Sequence, residues 1–235
     1  MNKVYNTVWN ESIGMWVVTS ELTRKGGQRP RQIRRTVLAG LVAGLLLPSA
    51  PTLATAWDSV MLGSGGTSGS MTLNAGDTAN NTTINSGGQQ YVSSGGSATS
   101  TTINSGGGQA VYSGGSATST TINGGWQYVF SGGSATSTTI NSGGRQHVSG
   151  GGSATSTTIN GGWQYVSSGG SATSTTINGG RQTVSRGGSA TSTTINSGGR
   201  QNVFSGGSAT STTINDGWQN VYNSGSATST TINGG

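Results

Sequence analysis

Hydroxyl groups are the one chemically capable function that this sequence repeats in order. Ser97, Ser116, Ser134, Ser153, Ser171, Ser189, Ser208 and Ser226 close a Gly-Gly-Ser corner (Ser-Gly-Ser at the last). Ser100, Ser119, Ser137, Ser156, Ser174, Ser192, Ser211 and Ser229 each lie three residues before an isoleucine. A serine hydroxyl becomes a nucleophile only beside a base, and bases are scarce. The 235 residues include one histidine, five acids and no cysteine. His147 falls at a variable position between Gln146 and Val148 and reads as a surface residue. Asp58, Asp77 and Asp216 occupy unrelated repeat positions, so no carboxylate pair is set up for acid–base work. No Gly-Gly pair is followed by Gly-Lys-Ser/Thr, as a phosphate loop requires. Calcium-binding Gly-rich solenoids need an Asp in every repeat, which these repeats lack. Missing thiols exclude disulfides and thiolate zinc sites. The expectation is a protein that is not an enzyme and carries no catalytic residue, metal site or cofactor.

The elements that hold these hydroxyls cannot form one large core. Charged residues make up 7% of the chain, against a usual ~25%, and 44 residues are glycine. The formal charge of +6 is concentrated at the start, because seven of the eleven basic residues precede residue 57. From there on, Arg145, Arg181, Arg186 and Arg200 stand against three aspartates, a net of +1. Nucleic-acid binding therefore has no electrostatic footprint.

Residues 29–54 read as a secretory signal. Arg29, Arg31, Arg34 and Arg35 precede an apolar run from Val37 to Leu47, which Pro48 ends. A run of 11 residues covers about half of the ~20 that span a bilayer. Cleavage is expected after Ala54 or Ala56, where Ala54-Thr55-Ala56 meets the small-x-small requirement. The expected divisions are an extended signal peptide over 1–54, an atypical capping repeat over 55–84 and regular repeats over 85–235.

Beyond the leader the sequence is periodic. Isoleucine recurs at Ile84, Ile103, Ile122, Ile140, Ile159, Ile177, Ile195, Ile214 and Ile232. Valine recurs at Val92, Val111, Val129, Val148, Val166, Val184, Val203 and Val221. Every Val-to-Ile step is 11 residues and every Ile-to-Val step is 7 or 8. The variable residue always falls at an Asn-(Ser)-Gly-Gly corner, as in Asn85-Ser86-Gly87-Gly88 against Asn123-Gly124-Gly125. That corner is a turn, since insertions are tolerated there. Leu73 aligns with the valines, so residues 71–83 form a degenerate first unit. Gly-Gly punctuation and the Thr, Ser and Asn content disfavour helix. Ala-Thr-Ser-Thr-Thr-Ile and x-Gln-x-Val read as short strands. Two apolar residues per unit cannot bury a hairpin, but units stacked ~4.8 Å apart align Ile on Ile and Val on Val. The predicted fold is all-β, a right-handed parallel β-helix (solenoid) of 18–19-residue rungs preceded by a cleaved signal peptide. About nine rungs give a rod on the order of 40 Å long.

Two stretches carry a family resemblance. Met1-Asn2-Lys3, Tyr5, Val8-Trp9-Asn10, Gly14, Trp16-Val17-Val18 and Ser20-Glu21-Leu22 resemble the extended signal-peptide region of Gram-negative type V secreted proteins. The unit Ser-Gly-Gly-Ser-Ala-Thr-Ser-Thr-Thr-Ile-Asn-Ser-Gly-Gly-x-Gln-x-Val resembles the passenger repeats of self-associating autotransporter adhesins of the TibA and AIDA type. The resemblance implies export through the periplasm to the cell surface or beyond, with adhesion and autoaggregation as the function. It also implies O-heptosylation on serine by a dedicated bacterial heptosyltransferase. Partners would then be that transferase, other copies of the chain and the host cell surface. Both serine series are candidate acceptors; strand alternation points the residue three before Ile outward, and the corner series is slightly favoured for access. Family members continue into a membrane β-barrel. This sequence stops mid-unit at Gly235, and the expectation is a passenger piece without its translocator.

Other readings compete with this one. Ser and Thr also serve simply as turn and strand formers that solvate an unmodified adhesive rod. Thr-x-Thr rows would suit an ice-binding array, but Thr99 and Thr101 share the parity of inward Ile103. Trp126, Tyr128 and Phe130, with Trp163 and Tyr165 and with Trp218 and Tyr222, form an outward aromatic series. Such a series suits protein or sugar contact, or stacking between rungs.

Overall fold

The computed structural model describes residues 5–10, 15–20 and 53–234. The chain divides into two units, Met1–Pro51 and Thr52–Gly235. In the first, Tyr5–Asn10 pairs antiparallel with Met15–Ser20. The arginines and apolar run assigned to the export signal lie outside the described residues.

The second unit is a parallel β-solenoid of about nine turns, as the spacing predicts. One turn is Ser97–Thr99, Thr102–Asn104 and Gly108–Val111, three short strands separated by corners. Each strand pairs in parallel with its equivalent in the next turn, placing Ala98 beside Ala117, Ile103 beside Ile122 and Val111 beside Val129. Three parallel sheets result, of ten, ten and nine strands. They are called below the Ala, Ile and Gln-Val sheets, after their inward residues. The stack opens on Ala56–Asp58, Met61–Leu62 and Ser70–Leu73. Leu73 lies beside Val92 and Leu62 beside Ile84, so the degenerate start shares the regular register.

Inside, each turn contributes more than the isoleucine and valine columns. Ile84 to Ile195 and Val92 to Val203 are fully buried, and Ile214 is nearly so. On the last described turn Val221 and Ile232 are exposed, having a neighbouring strand on one side only. An alanine column running from Ala79 and Ala98 to Ala209 lines the third wall. Gln90, Gln109, Gln127, Gln146, Gln164, Gln182 and Gln201 are also fully buried. From Gln109 onward each Gln amide donates to the Gln Oε1 of the preceding turn at 2.6–2.7 Å, whereas Gln90, at the start, donates to Met71 Sδ and Thr82 Oγ1. A buried threonine closes the circuit. Thr138 donates to Gln127 Oε1 at 3.4 Å and accepts from Gln146 Nε2 at 3.2 Å. No buried side-chain nitrogen or oxygen among the described residues lacks a partner.

The corners explain the glycines. Ser94 and Gly95 both have positive φ, 48° and 82°, as the central residues of a type I′ turn do. The Gly96 N–H donates to the Ser93 carbonyl at 2.8 Å. The second glycine of the pair is required for space: a Cβ on Gly152 would run into the Val129 carbonyl of the turn before. At the variable corner, Asn104 Nδ2 donates to Asn85 Oδ1 at 2.8 Å, beginning an outer amide ladder.

One parity expectation is corrected. Thr101 is buried, but Thr99 is half-buried on the outer side of the strand, with Ala98 inward. The reason is Ser100, whose φ of 55° turns the chain and resets the alternation. Ser97 and Thr99 therefore both face outward.

The amide ladder yields a test. Gln146→Leu keeps the volume and adds apolar surface, yet removes four buried hydrogen bonds, those to Gln127, Thr138, Thr157 and Gln164, and leaves Gln127 Oε1 and Gln164 Nε2 only their longer threonine contacts. The expected loss is roughly 2–6 kcal/mol, about 0.5–1.5 for each of the four hydrogen bonds, read from the denaturant midpoint. A neutral or stabilising result would reduce the ladder to filler.

Candidate functional site

Serines reach the surface at two corners of every turn. Between the Ala and Ile sheets stand Ser100, Ser119, Ser137, Ser156, Ser174, Ser192, Ser211 and Ser229, all exposed, with φ of 55–58°. Left-handed backbone is uncommon for residues with a Cβ, and a polar side chain on a one-residue bend projects clear of the sheets on either side. Asn81 and Ser59 continue this column with φ of 54°. The residues read as strand serines are thus corner serines. The Gly-Gly-Ser residues are the reverse: Ser97, Ser116, Ser134, Ser153, Ser171, Ser189 and Ser208 open strands and are half-buried, and only Ser226 on the last turn is exposed.

Sequence reasoning passed over a third series. Ser94, Ser113, Ser131, Ser168 and Ser205 occupy the first αL position of the I′ turn and are exposed. Gly150, Arg186 and Asn223 interrupt that column. The signal was present in Ser-Gly-Gly, where a residue before Gly-Gly at a two-residue corner must itself adopt positive φ.

A separate face lies on the Gln-Val sheet. Its outward positions alternate with the buried Gln and Val, and their residue types vary from turn to turn. Trp126, Arg145, Trp163, Arg181, Arg200 and Trp218 fill one outward column over consecutive turns. Tyr128, His147 and Tyr165 fill the other, with ring centroids 4.8 Å apart at each step. The Trp126 ring packs against Tyr128 at 4.9 Å, tilted by 52°. The Arg145 and Arg200 guanidiniums lie 5.5 and 5.0 Å from the Trp163 and Trp218 rings. At the neighbouring edge Tyr112 stacks on Phe130 and Phe204 on Tyr222. The rings therefore do stack between turns, yet Tyr128 and Trp218 remain 41% and 52% exposed. His147, read from sequence as a surface residue, is half-buried because two tyrosines sandwich it.

Among the described residues no group of three His, Cys, Asp or Glu could hold a metal. Ala54 is exposed ahead of the first strand, whereas Ala56 already lies in it beside Thr78.

The family model for the adhesin of bacterial autotransporter systems, probable stalk, matches residues 58–107, 85–125, 103–144, 122–162 and 159–199, more than half of the chain. The chain belongs to the autotransporter adhesin stalk family. Residues 1–50 match the extended signal peptide of type V secretion systems. Over 93 residues the chain is 80% identical to Autotransporter CRAC of Citrobacter rodentium, covering 40% of this chain and 6% of that protein. Over 92 residues it is 77% identical to the autotransporter adhesin/invasin TibA of Escherichia coli, covering 39% of this chain and 9% of that protein. The matches thus span less than a tenth of either relative. A crystal structure of a TibC-catalyzed hyper-glycosylated TibA fragment superposes with a TM-score of 0.73 at 62% identity, covering 76% of this chain and 69% of that one. A type V export signal thus precedes a solenoid of the adhesin stalk family.

The aromatic sandwich has a pH signature. Burial, and then the Arg145 guanidinium, hold the His147 pKa below its ordinary 6.5. The unfolded chain takes up the proton first, so stability is level above the ordinary value and declines as pH falls below it, down to the folded-state value. Denaturant midpoints should drop as pH falls below the ordinary value of 6.5, and His147→Gln should remove the part of that drop due to this group. An unchanged slope in the variant would refute the assignment.

Proposed function

We propose that the rod is a surface adhesin and autoaggregation factor whose exposed αL serines are acceptors for O-heptosylation, the Ser100-type column being the principal one. The observation that carries this reading is the regular, uninterrupted exposure of that column at eight turns, in a chain 62% identical to a glycosylated fragment. A transferase working along the rod meets the same hydroxyl on the same bend at every turn. The Ser94-type column offers a similar bend but is broken at three turns, and the Ser97 type is recessed on a strand. Heptose on the Ser100 corner would clothe one edge of the rod in further hydroxyls. Contacts with other copies and with host cells would then run along that edge.

Co-expression with the family's heptosyltransferase should add mass in multiples of one heptose. Ser→Ala across the Ser100-type column should remove most of that load, and the same change across the Ser97-type column little of it. Deleting whole 18- or 19-residue units should lower the maximum load stepwise. A protein that keeps the mass of the bare polypeptide beside an active transferase would refute the acceptor reading. Loss of heptose without loss of autoaggregation would refute its adhesive role.

Processing is inferred to follow Ala54. Cleavage there leaves Thr55 as the new N-terminus, and its nitrogen is 2.7 Å from Asp77 Oδ1. The Thr55 carbonyl accepts from the Thr78 N–H at 2.9 Å. The Asp77 carboxyl is held below its ordinary pKa by the backbone N–H groups of Asn74 and Thr55, so it is ionised to meet the new ammonium. Cleavage after Ala56 would instead take the first residue from a paired strand. N-terminal sequencing of exported protein should begin at Thr55; a start at Trp57 would overturn the inference.

A further inference from the structure

We propose that the outward face of the Gln-Val sheet is a binding surface for an acidic polysaccharide lying along the rod axis. The surface is built from two kinds of side chain, tryptophan and arginine, that share one column of successive turns. Trp126 and Trp163 stand two turns apart with Arg145 between them, and Arg181 and Arg200 continue the column to Trp218. At ~4.8 Å per turn, the two tryptophans are ~10 Å apart, a spacing on the scale of a disaccharide. An indole face takes the apolar face of a pyranose, while the guanidinium on the next turn takes its carboxylate or sulfate.

The rings are positioned before any ligand arrives. The Trp126 indole lies in the space a side chain on Gly108 would fill, directly over the preceding turn. The Arg145 and Arg200 guanidiniums rest against their tryptophans. Tyr128, His147 and Tyr165 form a continuous strip of packed rings alongside, the first pair tilted and the second stacked. Beside these side chains the Gly-Gly corners leave two shallow grooves of about 310 and 290 Å³, one flanked by Trp126 and Arg145, the other by Trp163 and Arg200.

Charge decides what kind of occupant fits. Three of the four arginines beyond the leader lie on this face, and no strand of the sheet contains an acidic residue. A second copy docked through the same face would set guanidinium against guanidinium, so the face does not suit self-association. A neutral glycan would leave the arginines without a role. The Ser100-type corner joins the other two sheets, so the glycan face and the proposed heptose edge are separate and the rod can use both. The inference depends on the adhesin reading only for where such a glycan is met. Binding is measured on the purified, unmodified chain, so its failure leaves heptosylation and autoaggregation to be judged separately.

The test is a binding titration with three probes: hyaluronan (carboxylate only), chondroitin sulfate (carboxylate and sulfate) and neutral dextran. The expected result is binding of one or both acidic chains and none of dextran, the first two probes separating carboxylate from sulfate recognition. Trp126→Ala with Trp163→Ala, which leaves every charge in place, should weaken binding by ~10-fold or more. Arg145→Gln with Arg181→Gln should do the same and reduce the salt dependence. Gly108→Ala, which displaces the Trp126 ring, should weaken binding with no residue of the face removed. Arg186→Gln, on a turn away from the face, should change nothing. Circular dichroism of each variant should match the parent, since all these side chains point outward. No binding to either acidic probe, equal binding to dextran, or sensitivity to arginine loss with none to tryptophan loss would each overturn the proposal.

Discussion

A buried glutamine amide has two donors and an acceptor to satisfy, and in this rod its principal partner is the same amide one turn away. That requirement ties each turn to the next more tightly than apolar contact can. Isoleucine on isoleucine tolerates some sliding, because the hydrophobic effect is non-directional. An amide at 2.6–2.7 Å from its neighbour does not. A turn shifted along the strand by one residue would put Gln outside and Trp or Arg inside. Register is therefore specified polar group by polar group, in a core otherwise too thin to specify it. Threonine 11 residues further on completes the circuit.

The constant 11-residue segment and the variable corner follow from the same constraint. From Val92 to Ile103 the chain passes an I′ turn, an inward alanine, a one-residue bend at Ser100 and an inward threonine. Each of these either meets a neighbouring turn or aims a residue at one, so no insertion is tolerated. The Asn-Gly-Gly corner carries its ladder on the outside, where Asn–Asn distances range from 2.7 to 3.5 Å. A serine can be added there without disturbing the interior.

Surface and core are thus decoupled along the whole rod. Inward positions repeat because each must match its copy above and below. Outward positions on the Gln-Val sheet are free of that demand and carry Trp, Arg, Tyr, His, Thr and Asn. The corner serines are outward as well, yet they repeat without interruption at Ser100 and its equivalents. A bend at positive φ accepts Asn or Gly readily, and Asn81 fills the equivalent position in the first unit. Invariant serine over the next eight turns is thus more than the backbone asks for, which supports a role for the hydroxyl.

Periodicity in the sequence was enough to determine the parallel solenoid, its rung length, the isoleucine and valine columns and the inclusion of Leu73, because a repeat this regular can bury two apolar residues per unit only by stacking. The extended signal peptide and the adhesin family were legible in motif residues alone. Gln127 and its equivalents were as constant as Val129 and two residues away, so the same parity made them inward, but a polar residue is not read as core until its partner is seen. That partner comes from another turn, and only the tertiary structure supplied it. The direction of Thr99 and the identity of the corner serines were likewise decided in three dimensions. Strand alternation counted back from Ile103 passes through Ser100, and a single αL residue reverses the count without leaving any mark in the pattern of apolar residues.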